Sequence, residues 1–165
     1  MTPARAIATV AGVGLLRPAP GTWGSLAALP LAWGVHAVAG FPGLLAATLA
    51  VTVLGWWAVG RAAQGMADPD ASEFVIDEVA GMWIALWPVS LGAWLQGVDM
   101  LALWPGWVAA FALFRLFDIW KPGPVGRADR MGTPWGVMAD DLLAGAFAAA
   151  GVAVLAVIAH AGMGW

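Results

Sequence analysis

The sequence predicts an all-α fold: a polytopic membrane helical bundle of about four to five apolar helices, with charged loops on the cytoplasmic face. Three observations carry that expectation. Apolar residues make up 62% of the 165 residues and charged residues 10%, against roughly 45–50% and 25% in soluble domains; mean hydropathy is +0.84. No Asp, Glu, Lys or Arg occurs from Pro18 to Gly60, from Val79 to Val98 or from Leu142 to Trp165, and a shorter uncharged run spans Met100 to Phe114. About 20 apolar residues cross a bilayer, so the first run can hold two spans and the next two one each. Finally, the ten acidic and seven basic residues gather at the ends of these runs. The chain reads as a single domain, residues 1–165.

Taken in order, Met1 to Arg17 lacks a basic-then-apolar leader with a cleavage site and reads as a retained segment. Leu15 to Ser25, LLRPAPGTWGS, reads as a Pro/Gly loop. Leu26–Gly40 and Leu44–Gly60 form a helical hairpin about the turn Phe41-Pro42-Gly43. After the break ADPDAS (Ala67–Ser72), a helix is expected to start near Ser72 and run through Met82, Trp83 and Leu86, with a kink at Pro88. Another covers Trp104–Ile119, extended back towards Asp99 and kinked at Pro105. Lys121–Trp135 is polar, and Pro122, Pro124 and Pro134 deny it a continuous helix. The last helix runs from about Asp140 to His160.

Arg5 and Arg17 precede the first span, Arg61 follows the second, and Arg115 to Arg130 surround the loop after the fourth. With five spans these regions share one face, which the positive-inside rule makes cytoplasmic. The twelve tryptophans sit mostly near span ends, at headgroup level. The absence of cysteine excludes a disulfide framework and cysteine catalysis. No basic face suggests nucleic acid, and nothing specifies an oligomeric state.

The carboxylates on that face are the chemistry-bearing residues. In FVIDEVAGMW (Phe74–Trp83), Asp77 and Glu78 enter an apolar helix where they can reach a metal. Acids in a first helical turn are also favoured by the macrodipole alone, by about 0.3–1 kcal/mol each. In FRLFDIWKP (Phe114–Pro122), Arg115, Asp118 and Lys121 recur at spacing three along one helical stripe. Such a stripe suits a self-satisfied ion pair, or a phosphate held by Arg and Lys with Asp118 on a metal. In GVMADDLLAG (Gly136–Gly145), adjacent Asp140 and Asp141 repel one another, which a divalent cation relieves. Hard oxygen-only donors suit Mg²⁺ or Mn²⁺. The Gly/Pro loop PAPGTWGS (Pro18–Ser25), with Thr22 and Ser25, can cradle a phosphate on backbone N–H groups, or be ordinary punctuation with Ser25 as a cap. Asp68-Pro69-Asp70 has the Asp-x-Asp form of aspartyl-phosphate phosphatases but lacks the apolar strand that should precede it. His36 and His160 lie in apolar stretches and read as structural.

Read in order, PAPGTWGS, FVIDEVAGMW, FRLFDIWKP and GVMADD resemble the phosphatidylglycerophosphatase A family of bacterial lipid phosphatases. The resemblance spans Pro18 to Asp141. It implies a multi-pass enzyme of the bacterial inner (cytoplasmic) membrane, Mg²⁺-dependent, with its active site facing the cytoplasm. That enzyme would remove the terminal phosphate of phosphatidylglycerophosphate in the bilayer and leave phosphatidylglycerol. On this footing Asp77, Glu78, Asp118, Asp140 and Asp141 are expected to supply the catalytic carboxylates and metal ligands. Arg115, Lys121 and Arg130, with Thr22 and Ser25, are expected to bind substrate, and Asp129 to orient Arg130. The rival reading is a small membrane transporter or cation-conducting protein, whose ionisable groups should lie near the bilayer midplane.

Overall fold

The computed structural model describes residues 1–66 and 71–163, so Asp68-Pro69-Asp70 lies outside the described residues. Among the described residues every regular element is helical: α1 (Pro3–Ala8), α2 (Pro20–Ala62), α3 (Ile76–Ala85), α4 (Trp87–Gln96), α5 (Trp104–Trp120), α6 (Pro124–Asp129) and α7 (Pro134–Met163). Short 3₁₀ turns at Val13–Leu15 and Met100–Leu103 lead into α2 and α5.

The long α2 is not straight. Gly40 takes φ 62°, ψ −161°, outside helical space. The residues on either side of it reach the same neighbours: Gly24 packs against Val75, and Gly55 against Ile76 and Met138. A straight helix would set Gly24 and Gly55 about 46 Å apart, so the run doubles back at Gly40. The expected hairpin is present, but it breaks at Gly40 rather than at Phe41-Pro42-Gly43. Pro42 instead falls where a new helix begins, a position that tolerates its missing N–H.

Within this frame α3 is the central helix. It is apolar nearly all round and accordingly buried nearly throughout, packing on α2 and α7. Trp83 Nε1 donates to the Ala28 carbonyl at 2.9 Å and Trp87 Nε1 to Thr48 Oγ1 at 3.3 Å, one bond to each half of the hairpin. Met82, Leu86, Leu44 and Phe114 are fully buried around it. The chain bends by 46° between α3 and α4, where Pro88 sits in the first turn of α4 and cannot serve the preceding turn.

Three stretches, Pro20–Ala62, Met100–Trp120 and Pro134–Gly162, are long and apolar enough to cross a membrane, and the bent pair Ile76–Ala85 with Trp87–Gln96 makes a fourth.

Two helix starts differ from the sequence expectation for one shared reason. Proline stops a helix that reaches it from before, yet it opens one well at the first position. Thus α2 starts at Pro20, so Gly21 to Ser25 form helix and not loop. Likewise α7 starts at Pro134, with Thr133 Oγ1 accepting from the Gly136 N–H at 3.1 Å. The helix after the break starts at Ile76, not near Ser72. The polar segment holds the short α6 and, at its end, the first two residues of α7.

Candidate active site

A cavity of about 290 Å³ opens where the start of α2, the start of α3, the end of α5 and the first part of α7 meet. Pro20, Gly21 and Thr22 line it from α2, Asp77 and Glu78 from α3, Arg115 and Asp118 from α5, and Asp140 and Asp141 from α7. Lys121, just past the end of α5, and Ser72 complete the rim. Most of the residues singled out in the sequence therefore face one space.

Two glycines set this meeting. A Cβ on Gly81 of α3 would lie against the Asp141 carbonyl and the Phe114 ring; one on Gly145 of α7 would lie against the Gly81 carbonyl. Backbone meets backbone there, one helical turn beyond Asp77 and Asp141. Only that close approach lets acids from two helices converge. Asp77, Glu78 and Asp141 each offer a carboxylate oxygen, all within 4.8 Å of one another. Asp77 and Asp141 are buried, 7% and 3% exposed. None of the three takes part in an ion pair among the described residues, and Glu78 Oε2 is buried with no hydrogen-bond partner.

Unpaired buried carboxylates this close are unfavourable by themselves, because burial strengthens their repulsion. Mg²⁺ takes oxygen ligands at about 2.0–2.1 Å, and three oxygens all within 4.8 Å of one another lie on the scale of one such ligand sphere. The all-oxygen donor set and the orphaned Glu78 oxygen fit such an ion. The macrodipole reading survives for Asp77 and Glu78, in the first turn of α3, but not for Asp140 and Asp141, which lie beyond the first turn of α7.

The other two acids are paired with cations. Asp118 takes the Arg115 guanidinium at 2.5 Å. Lys121 bonds both Asp129 and Asp140, the latter at 2.8 Å. Burial pulls the Lys121 ammonium down, but these hydrogen bonds outweigh it and hold its pKa above the ordinary lysine value. The sign follows: stability from this pairing is fully present below the ordinary lysine pKa and fades only as pH rises through the raised one. Lys121→Met should accordingly lower the melting temperature at neutral pH, by the equivalent of about 1 kcal/mol for a partly exposed pair, and Lys121→Arg should restore most of it. An unchanged melt in Lys121→Met would show that the pairs are idle.

The remaining expected residues are placed differently. Ser25 is fully buried, donates from Oγ to the Gly21 carbonyl at 2.8 Å and accepts from Arg115 at 3.5 Å. It therefore stands behind Arg115 and does not line the cavity. Arg130, the residue after α6, is not among the lining residues either, and Asp129 pairs with Lys121 instead of orienting it. Thr22 does line the space, beside Gly21, where a Cβ would meet Glu78 Oε1 and come within 3.3 Å of Arg115 Nη1. The unpaired N–H groups opening α2 thus sit near both the acids and the guanidinium. At the edge, Arg5 pairs with Glu73 at 3.0 Å and Arg17 reaches Ser72 Oγ at 3.4 Å, so two arginines noted only for topology fasten the N-terminal segment beside the cavity.

A family described as "Phosphatidylglycerophosphatase A" matches residues 6–156. A Haemophilus influenzae protein named phosphatidylglycerophosphatase A is 35% identical over 90% of this chain and 85% of its own length. An Escherichia coli protein of the same name is 33% identical over 84% and 74%. A Bacteroides thetaiotaomicron protein, provisionally named a phosphatidylinositol-3-phosphatase, is 37% identical over 86% of each chain. No solved structure matches.

Proposed function

The chain belongs to the phosphatidylglycerophosphatase A family, and from that premise we propose that it hydrolyses the terminal phosphate of phosphatidylglycerophosphate. The products are phosphatidylglycerol, for phospholipid biosynthesis, and inorganic phosphate. One observation carries the reading: five carboxylates, three of them in one close cluster, converge with an arginine and a lysine on a single cavity at one end of an apolar helical bundle. That is where the headgroup of a membrane lipid lies. The transporter alternative lacks this support, since the ionisable groups cluster at helix ends and not midway along them.

In this reading the bundle crosses the bacterial inner membrane five times, each half of the α2 hairpin being one pass, with the cavity facing the cytoplasm. Asp77, Glu78 and Asp141 hold Mg²⁺. When bound, the ion supplies charge that offsets the phosphate oxygens and acidifies water. Arg115 and Lys121 grip the phosphate, and their own partners aim them: Asp118 and Ser25 fix the guanidinium, Asp129 and Asp140 the ammonium. The N–H groups of Gly21 and Thr22 add donors at the helix start. A carboxylate of the cluster takes a proton from the attacking water. The water oxygen bonds to phosphorus, the P–O bond to the glycerol breaks, and the proton taken by the carboxylate passes to the departing alcohol oxygen.

The test is phosphate release by purified protein from detergent-solubilised phosphatidylglycerophosphate, with phosphatidylinositol 3-phosphate as a second arm. Release should be rapid from the first, should stop in EDTA and should return with Mg²⁺. Release that ignores EDTA rejects the metal assignment; release from the inositol lipid alone rejects the substrate.

A further inference from the structure

A second cavity, of about 630 Å³, runs as an open groove between α5 and α7. Its lining is apolar: Leu113, Phe117 and Trp120 on one side, Phe147, Gly151 and Val154 on the other. Phe117 and Phe147 meet edge to face there, with centroids 5.7 Å apart. Further along, Gly151 lets α7 come close enough to α5 that a Cβ would stand 2.8 Å from Leu113 Cδ1. The volume falls within the range of about 300–1,000 Å³ typical of small-molecule sites.

The groove and the charged cavity share no lining residue, but both are walled by α5 and α7 and they adjoin at Lys121. Trp120 and Pro122 line the groove and flank Lys121, whose ammonium is held by Asp140. On α7, Phe147, Gly151 and Val154 follow Asp140 at steps of seven, eleven and fourteen residues. At about 100° per residue those positions lie within about 40° of Asp140 around the helix axis. One face of α7 thus begins with a carboxylate and continues as groove wall. Leu155, the last lining residue, is about 22 Å beyond Asp140 along the axis, deeper than half of a hydrocarbon core of about 30 Å.

We infer that this groove seats an acyl chain of the lipid whose phosphate occupies the charged cavity; the inference rests on the lipid phosphatase reading above. Lipid tails are as apolar as leucine, so the groove does not act through a hydrophobic driving force. It acts by shape, fixing the depth and rotation of the lipid so that its phosphate stands at Arg115 and Lys121. Positioning of that kind replaces a search through orientations.

The experiment uses the full chain in nanodiscs with lipids that carry a photoreactive diazirine in the acyl tail. A phosphomonoester-headed lipid should label the Phe147–Leu155 stretch at least fivefold more than a phosphocholine-headed one. Ala150→Phe and Val154→Trp, which fill the groove outside the charged cavity, should remove the excess. In turnover, both variants should raise KM for the long-chain lipid about tenfold and leave hydrolysis of the deacylated headgroup phosphate unchanged. Equal labelling by both lipids means that the groove holds ordinary bilayer lipid, and overturns the inference. So does an equal loss on both substrates. Headgroup-dependent labelling without phosphate release by the native chain would instead sink the phosphatase reading and keep the groove.

Discussion

Asp141→Asn is expected to reduce phosphate release by about 10²–10⁴-fold, the range for loss of a group that handles charge or a proton in the transition state, while making the metal-free protein harder to melt. The two effects have one cause. Asp141 is buried with Asp77 and Glu78, no cation pairs with any of the three among the described residues, and Glu78 Oε2 has no partner. Neutralising one member relieves repulsion in a poorly screened place. A gain of about 1 kcal/mol corresponds to about 2–4 °C in a chain of this size. Mg²⁺ should raise the melting temperature of the native chain and not that of Asp141→Asn, since only a ligand with a site in the folded state stabilises it. Activity and thermal melts of both proteins, with EDTA and with Mg²⁺, check this. An Asn variant that melts lower than the native chain in EDTA, or that keeps near-full activity, removes Asp141 from the metal site.

Gly81→Ala is expected to cost about 1–3 kcal/mol of stability, as overpacking a well-filled core does, and to cost activity out of proportion to that. The added methyl meets the Asp141 carbonyl and the Phe114 ring, neither of which can step aside cheaply. Relief comes from moving α3 away from α7, which parts Asp77 and Glu78 from Asp141. A shift of about 1 Å can cost about a hundredfold in rate. Gly145→Ala should behave alike, since its methyl meets the Gly81 carbonyl. Gly34→Ala is the control: a Cβ there finds nothing within 4 Å. The decisive readout is turnover measured on protein that remains folded, together with the Mg²⁺ concentration needed for half-maximal rate. Full activity in Gly81→Ala would mean that the two helices need not approach this closely.

That pair of glycines also marks the boundary of what the sequence could reveal. The acids announced themselves, because charge in an apolar chain needs water, an ion or a partner. Helix existence was likewise legible from the uncharged runs, and the hairpin and the bend before Pro88 from Gly and Pro. What went unread was the spacing DEVAG at Asp77–Gly81 beside DLLAG at Asp141–Gly145. Each segment places an acid and a glycine four residues apart on one helical face, the pattern two helices need to meet backbone to backbone beneath a shared site. Partner choice was the second gap. Asp129 stands next to Arg130 in sequence, yet it pairs with Lys121 because α6 turns it back across the end of α5. At Pro20 and Pro134 proline opens a helix and does not end one, which a composition of Pro and Gly does not distinguish.

The fold-back at Gly40 has a consequence for how the chain enters a membrane. Both ends of the hairpin lie beside the same neighbours, so under the five-pass topology proposed above the first two crossings leave the chain on the side where it started. The corners delivered to the far side are those at Gly40 and around Gly97 to Asp99, where Gly40 packs on Trp94 and His36 meets Ser90. Of the ten acidic and seven basic residues, Asp99 is the single one at these corners. Hauling a charge through hydrocarbon is the expensive part of insertion, about 2.5–3.5 kcal/mol per ionised side chain by translocon scales. Under that topology almost none of that transport is required, and the reactive groups stay on the side of the membrane where they were synthesised.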